Sequence, residues 1–375
     1  MSNAGTKQNK RSGVIICGAY GMGNAGDEAI LEAIIREMRG IDPDMPITVL
    51  SRQPRGVEAK FGVRAMHTFN VFKFMHAARK SALYVNGGGS LIQDVTSRRS
   101  LWYYLWTLRA AKKRGCRVMM YGCGIGPVLY EDDIRRTCKV IDRYVDAITL
   151  REPDSIAELK RFGVSGPEIV LASDPALTLS AAPGEVIDRV MSEGGAEPDG
   201  KYICFALRRW PGFEEKAADF AAAAKYAYET YGLTPLFLSI NHCNDGDAAK
   251  KVTDGLDGVP FRTLPGPLPP EHAIGIMGRM ELVVSMRLHG LIFAAGAGAP
   301  TVGVSYDPKV TAFLRCIESG CIELADVSAE PLCRLIDEAA AQRNDRDGLR
   351  EKVQRLRRLE SQNTQIAKKL LGKDK

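Results

Sequence analysis

The amino-acid sequence predicts an α/β protein of two Rossmann-like, doubly wound domains facing a cleft. Short β-branched runs alternate with helix-length amphipathic runs from end to end, the pattern of parallel sheets covered on both faces. The alternation breaks once, at the small, Pro/Gly-containing stretch Leu179–Glu185, and then restarts. With 375 residues the chain exceeds what one ordinary core supports, and its 45% hydrophobic and 26% charged residues are globular proportions.

Strands are expected at Val14–Cys17, Ile47–Leu50, Val63–Met66 and Leu83–Asn86, then at Val118–Tyr121, Ala147–Leu150 and Ile169–Ala172. Helices between them include Asp27–Arg39, Ser100–Arg114, Glu131–Val145 and Pro153–Phe162. After the break, strands are expected at Tyr202–Leu207, Pro235–Ser239, Phe261–Leu264, Leu282–Ser285 and Thr301–Val304. Their helices are Glu214–Tyr231, Asp247–Leu256, Pro270–Met280, Leu291–Gly298 and Val310–Ser319. A charged tail near Asp347–Leu371 reads either as a solvated helix or as one packing back across the first domain. The division is thus 12–180 and 181–345 for the domains and 346–375 for the helical tail. Two such halves on a linker make a glycosyltransferase-B-like architecture, whose ligands bind at strand carboxyl ends between the domains.

Composition narrows the function. No apolar run approaches the ~20 residues that span a bilayer, and Lys7, Lys10 and Arg11 precede only a strand-length apolar run, not a signal peptide. Nine scattered cysteines form no CxxC pair and no zinc-like spacing, so reduced thiols and a cytoplasmic setting are expected. The net charge of +6 is not gathered into a basic tail with interleaved aromatics, so no nucleic acid is expected. An anionic small molecule, or an anionic membrane face, fits better.

Three glycine-rich stretches end strands of the first half. Gly21, Gly23 and Gly26 satisfy the dinucleotide spacing G-x-G-x-x-G, but the second strand ends in Ser51-Arg52, not in the acidic residue that holds a ribose. Arg52 suits a 2′-phosphate, which keeps an NADP-binding oxidoreductase as an alternative. Asp27 and Glu28 open the next helix, where dipole stabilisation is their ordinary role. Gly87, Gly88 and Gly89 are entropically costly and suggest close backbone approach to a ligand, with Asp94 orienting a sugar hydroxyl or capping a helix. Gly122, Gly124 and Gly126 complete one rim of a cleft.

The second half supplies titratable and cationic groups. Strand Leu282–Ser285 runs into Met286-Arg287-Leu288-His289-Gly290, which puts a histidine at a site-forming strand end beside a cation. Arg208 follows another strand, Arg151 a third and Lys309 a fourth. Such a cluster suits a ligand carrying both phosphate and carboxylate. Surface ion pairing is the competing role for each cation, and Arg151 has Glu152 and Asp154 beside it.

In these segments the chain resembles the polysaccharide pyruvyl transferase family, in its cell-wall polymer branch. The segments are Gly18–Leu31, Asn86–Asp94, Tyr121–Pro127, Arg151-Glu152, Asp174–Ala176, Leu207–Trp210, Ser285–Gly290 and Tyr306–Lys309, in order along nearly the whole chain. The resemblance implies transfer of a pyruvyl group from phosphoenolpyruvate to a sugar as a cyclic ketal, without metal or other cofactor. It implies a glycan acceptor, N-acetylmannosamine in a cell-wall polymer, carried on a polyprenyl diphosphate at the inner face of the membrane. On this reading His289 is the acid/base, and Arg208 and Arg287 hold the phosphate and carboxylate. Arg151 and Lys309 are further cations, and Tyr20, Asn24, Gly88, Gly89 and Asp94 line the acceptor side. A nucleotide-sugar-dependent glycosyltransferase on the same architecture is the main alternative.

Overall fold

A computed structural model describes residues 11–264, 266–344 and 346–373; Lys7, Lys10, the boundary at 345 and the last two tail residues lie outside them. The first domain opens with β1 (Val14–Cys17), α1 (Ala25–Ile41), β2 (Ile47–Ser51), α2 (Pro54–Phe61), β3 (Arg64–His67) and α3 (Val71–Lys80). It continues through β4 (Leu83–Ile92), α4 (Arg98–Lys113), β5 (Arg117–Ile125), α5 (Glu131–Tyr144), β6 (Ala147–Leu150), α6 (Pro153–Phe162) and β7 (Glu168–Leu171). A 3-10 turn at Pro175–Thr178 and α7 (Gly184–Glu193) lead into the second domain. There follow β8 (Tyr202–Ala206), α8 (Phe213–Tyr231), β9 (Thr234–Phe237), α9 (His242–Thr253), β10 (Arg262–Thr263) and α10 (Pro270–Gly278). Then come β11 (Leu282–Ser285), α11 (Leu288–Gly296), β12 (Thr301–Ser305), α12 (Pro308–Ile317), β13 (Gly320–Glu323), α13 (Ala329–Ala341) and α14 (Asp347–Leu371).

Both sheets are parallel. The first runs β3-β2-β1-β4-β5-β6-β7 and the second β10-β9-β8-β11-β12-β13. Strand order reverses between β1 and β4 and again between β8 and β11, so each domain has one switch point where carboxyl ends diverge and leave a crevice.

Two of the three glycine stretches continue as strand beyond the expected ends. β4 continues through Gly87–Gly89 to Ile92, and β5 through Gly122 and Gly124 to Ile125, with register shifts along both. Packing is the reason: a Cβ on Gly88 would lie 2.1 Å from Ile30 Cγ2, and one on Gly87 2.7 Å from Ile34 Cδ1. Helix α1 therefore rests directly on glycine backbone, at a φ of +67° for Gly88 that a side chain would strain.

One apolar core runs from α1 through the Pro175–Thr178 turn, α10 and α11 to α14. Helix α14 buries Val353, Leu356, Ile366 and Ala367 and packs back on the first domain. Thr364 donates to Glu37 at 2.8 Å, Asn363 to the Ser173 carbonyl at 3.0 Å, and Arg357 bridges the carbonyls of Leu177 and Gly296 at 2.9 Å each. A backbone contact also joins the domains at the cleft: the Ala25 amide donates to the Ile240 carbonyl at 2.8 Å, and Asn24 bridges Asn241.

Candidate functional site

The second switch point delivers the cations. Ala206 of β8 pairs with Ser285 of β11, so Arg208 and Arg287 each lie two residues beyond a matched strand end. The turn after β11 is held by Ser285, whose hydroxyl accepts from the Arg287 amide at 3.0 Å and donates to carbonyls of Arg287 (2.9 Å) and Ala206 (3.2 Å). Gly290 lets α11 close on this turn, since a Cβ there would lie 2.5 Å from Ser285 Oγ.

The two arginines differ. Arg287 is buried and committed: its Nε donates to Asp245 Oδ1 at 2.9 Å, and its Nη2 reaches the same oxygen. Asp245 Oδ2 meanwhile accepts from the amides of Ile240 and Asn241 at 2.9 and 2.7 Å, which shapes the segment that meets α1. Arg208 makes no ion pair among the described residues. Its guanidinium lies over Trp210 (4.6 Å) and Tyr306 (4.9 Å), Nη1 donates to the Tyr306 hydroxyl at 2.6 Å, and its buried Nε has no protein acceptor. A held but uncompensated guanidinium is the form an anion site takes.

His289 reaches across the cleft to the first domain. A Cβ on Gly26 would lie 2.1 Å from His289 Nδ1, so the imidazole rests on the first turn of α1. Its buried Nε2 has no hydrogen-bond partner and stands 3.7 Å from Asp174 Oδ2. Burial pushes the imidazole down to about 4, with Asp174 opposing and Arg151, Lys309 and Arg287 reinforcing. His289 is therefore neutral near pH 7.

Asp27 follows Gly26 on the same turn and feels two of the same cations, Arg151 and Lys309. Burial lifts its carboxyl to about 7, Glu28 adds to the rise, and Arg151, Lys309 and the 2.7 Å hydrogen bond from Asn24 oppose it. Asn24 also caps α1 by accepting from the Gly26 amide at 3.0 Å. One electrostatic cluster thus holds a neutral histidine and a carboxyl titrating near neutrality, a pairing typical of acid/base sites. The acidic opening of α1 reads in sequence as a dipole contribution, which hid Asp27; its coupling to Arg151 and Lys309 is purely tertiary.

Arg151 and Lys309 join the cluster differently. Arg151 is buried between Glu152 and Asp174, at 2.9 Å from each, and contacts Ser90 at 3.2 Å. The ion-pair role weighed for it is what the geometry shows, with Asp174 as the partner that sequence did not suggest. Lys309 pairs with Asp307 at 2.7 Å and lines a cleft cavity of about 280 Å³, with Ser90 and Glu152 on the opposite wall.

Four acceptor-side candidates lie in or behind the first sheet. Tyr20 is buried and donates to the Gly87 carbonyl at 2.6 Å, and Gly88 packs on Ile30. Gly89 stands beside Asp27, a Cβ there falling 3.6 Å from Asp27 Oδ1. Asp94 spends both carboxylate oxygens on the amides of Leu129 and Tyr130 at 2.9–3.1 Å, so it fixes the approach to α5 and not its own helix. The dinucleotide-like loop is also accounted for: His289 and Ile240 cover the start of α1, where a pyrophosphate would sit.

A model of the family described as polysaccharide pyruvyl transferase matches residues 24–308, from Asn24 past His289 to the start of α12. The chain belongs to the polysaccharide pyruvyl transferase family. No curated protein matches its sequence. The fold of the chain is also that of sugar-nucleotide enzymes. A UDP-GlcNAc 2-epimerase from Neisseria meningitidis, solved with UDP-GlcNAc bound, aligns over 97% of this chain and 100% of its own at TM-score 0.65 and 10% identity. A glycosyltransferase from Rickettsia africae aligns over 96% and 99% at TM-score 0.62 and 11% identity. At such identity the likeness is one of fold, two Rossmann-like domains in the glycosyltransferase-B manner.

Proposed function

We propose that this pyruvyl transferase moves the pyruvyl group of phosphoenolpyruvate onto a sugar of a cell-wall or exopolysaccharide precursor, as a cyclic ketal. The acceptor we favour is N-acetylmannosamine on a polyprenyl diphosphate. One observation carries the reading: Arg208, without an ion pair among the described residues, shares a switch point with Arg287 and with His289, whose ring rests on Gly26, one residue before Asp27.

The chemistry needs an acid, a base and anion binding. Protonating C3 of phosphoenolpyruvate makes a methyl group and leaves C2 oxocarbenium-like, open to a first sugar hydroxyl. A second hydroxyl then displaces phosphate from C2. Two C–O bonds form and one breaks; one hydroxyl proton replaces the proton delivered to C3 and the other leaves with phosphate. Asp27, protonated up to about pH 7, is the acid for C3. Neutral His289 is the base for the hydroxyls, and an anionic donor beside it raises its proton affinity. Arg208 grips the donor's carboxylate or phosphate bidentately, while Arg287, fixed by Asp245, offers its remaining N–H. Atoms and electrons balance without a redox partner, and we assign no cofactor beyond phosphoenolpyruvate.

The test is phosphate release from phosphoenolpyruvate with and without an N-acetylmannosamine glycolipid. Acceptor-dependent release lost in His289→Ala supports the reading. No release, together with thermal stabilisation by a uridine diphosphate sugar and none by phosphoenolpyruvate, turns it toward a sugar-nucleotide transferase.

A further inference from the structure

Among the described residues, nine of the ten exposed large hydrophobic side chains lie between Met22 and Tyr130; the tenth is Phe261, on the second domain. They are also clustered in space. In a parallel sheet each helix starts where a strand ends, so the starts of α3, α4 and α5 share the rim that carries the cleft. Phe69, Val71 and Phe72 lie at the start of α3, with Phe72 89% exposed; Val95 and Trp102 flank the start of α4; Leu129 and Tyr130 precede α5.

Ring contacts gather part of the strip into two groups, which meet where Trp102 and Trp106, one turn apart on α4, line the same groove. Phe69 meets Tyr103 at 5.5 Å, Tyr103 meets Trp106 at 6.3 Å, and Arg98 lies over both Trp102 (5.4 Å) and Tyr130 (4.2 Å). The far end is anchored by Asp94 and by the Trp102 indole, which donates to Asp133 at 2.8 Å. The strip is thus a preformed surface whose apolar tips face water.

Its charge is one-sided on two of the three helices. Helices α3 and α4 carry three and five Lys/Arg residues and no Asp or Glu, while α5 opens on Glu131, Asp132 and Asp133, the first two paired with Arg135 and the third with Arg98 and Arg136. Between α4 and α5 lies a groove of about 440 Å³ with Trp102, Leu105 and Trp106 on its floor and Arg109, Arg136, Lys139 and Arg143 on its rim. Among the described residues Arg109, Lys139 and Arg143 make no ion pair, and no carboxylate lines the groove. Apolar floor and cationic rim together match an anionic amphiphile: phosphate at the rim, acyl chain on the indoles. No helix among the described residues is long and apolar enough to cross a membrane.

We propose that the α3–α4–α5 face docks on an anionic lipid bilayer, with Phe72 and Leu129 inserted at the headgroup level and the α4–α5 groove holding a lipid phosphate. The docked face borders the cleft rim, so a lipid-linked acceptor reaches Asp27 and His289 from the bilayer without leaving it; that last step rests on the function proposed above.

Flotation of the full chain with phosphatidylglycerol and with phosphatidylcholine vesicles tests docking without any substrate. Wild type is expected to bind the anionic vesicles at least tenfold more than the neutral ones, with binding falling as salt rises. Phe72→Ser with Leu129→Ser, and separately Lys139→Glu with Arg143→Glu, are expected to lower that binding tenfold or more. All are exposed, so circular dichroism and phosphate release with a water-soluble acceptor should stay at wild-type levels. Equal binding to both vesicles, or unchanged binding by both variants, overturns the proposal, as does a wild-type dimer that Phe72→Ser dissociates, because a second copy then covers the face. Vesicle binding without phosphate release would leave docking intact and refute the function instead.

Discussion

The two domains share one plan and differ at their switch points. In the second, the crevice between β8 and β11 is lined by side chains that sequence distance separates: Arg208 stacked on Trp210 and Tyr306, Arg287 on Asp245, and His289. In the first, the crevice between β1 and β4 is closed by glycine backbone under α1, and its contribution is the first turn of that helix, with Asn24 and Asp27. Glycine-rich strand ends can thus serve packing in one domain while arginine-bearing ends serve charge in the other. The comparison predicts that, apart from the Asp245 carboxylate that holds Arg287, substitutions on the second side fail in turnover and those on the glycine side in stability.

The largest effect is expected where charge is buried and committed. Asp245→Ala leaves Arg287 buried without its partner and should cost about 3–5 kcal/mol in urea unfolding. Arg208→Ala removes a cation with no carboxylate partner; stability should hold while turnover falls about 100-fold, near 3 kcal/mol of barrier. On the first side the pattern should invert. Gly88→Ala drives a Cβ into Ile30 and should cost about 1–3 kcal/mol of stability. Gly26→Ala is the exception that sharpens the contrast, because its Cβ meets His289 and should lower turnover roughly tenfold or more with the fold retained.

The smallest effects are those of pH. Asp27 is raised from 3.8 to about 7, so between those values the folded chain holds a proton the unfolded chain has released, and this contribution to stability fades as pH rises. His289 is lowered from 6.5 to about 4, so its contribution has the opposite sign and is lost as pH falls through that window. Turnover should decline above pH 7 as Asp27 ionises, about tenfold per unit, on a limb absent from the residual activity of Asp27→Asn.

Much of the fold was legible because strand and helix periods are local. β1, β6 and β11 fall where the apolar runs place them, as does the helix at Pro153–Phe162. The strand character of Gly87–Gly89 is hidden in the sequence because the α1 side chains that require bare backbone, Ile30 and Ile34, lie more than fifty residues away. β13, four residues at a sheet edge, carries too little periodicity to announce itself, and the thin apolar seam of α14 left its burial open. In the site, Arg208, Arg287 and His289 were legible as strand-end residues. Their partners were not: Asp245 and Asp174 meet Arg287 and Arg151 only in three dimensions, and Asp27 resembles any acidic helix start until burial, Arg151 and Lys309 act on it.

The most direct test of the account is product analysis: incubate the chain with phosphoenolpyruvate and an N-acetylmannosamine glycolipid, and measure pyruvyl ketal and phosphate together. The account predicts ketal and phosphate in equal amounts, both lost in His289→Ala and Arg208→Ala. Phosphate without ketal, or a glycan product formed only when a nucleotide sugar replaces phosphoenolpyruvate, would contradict it.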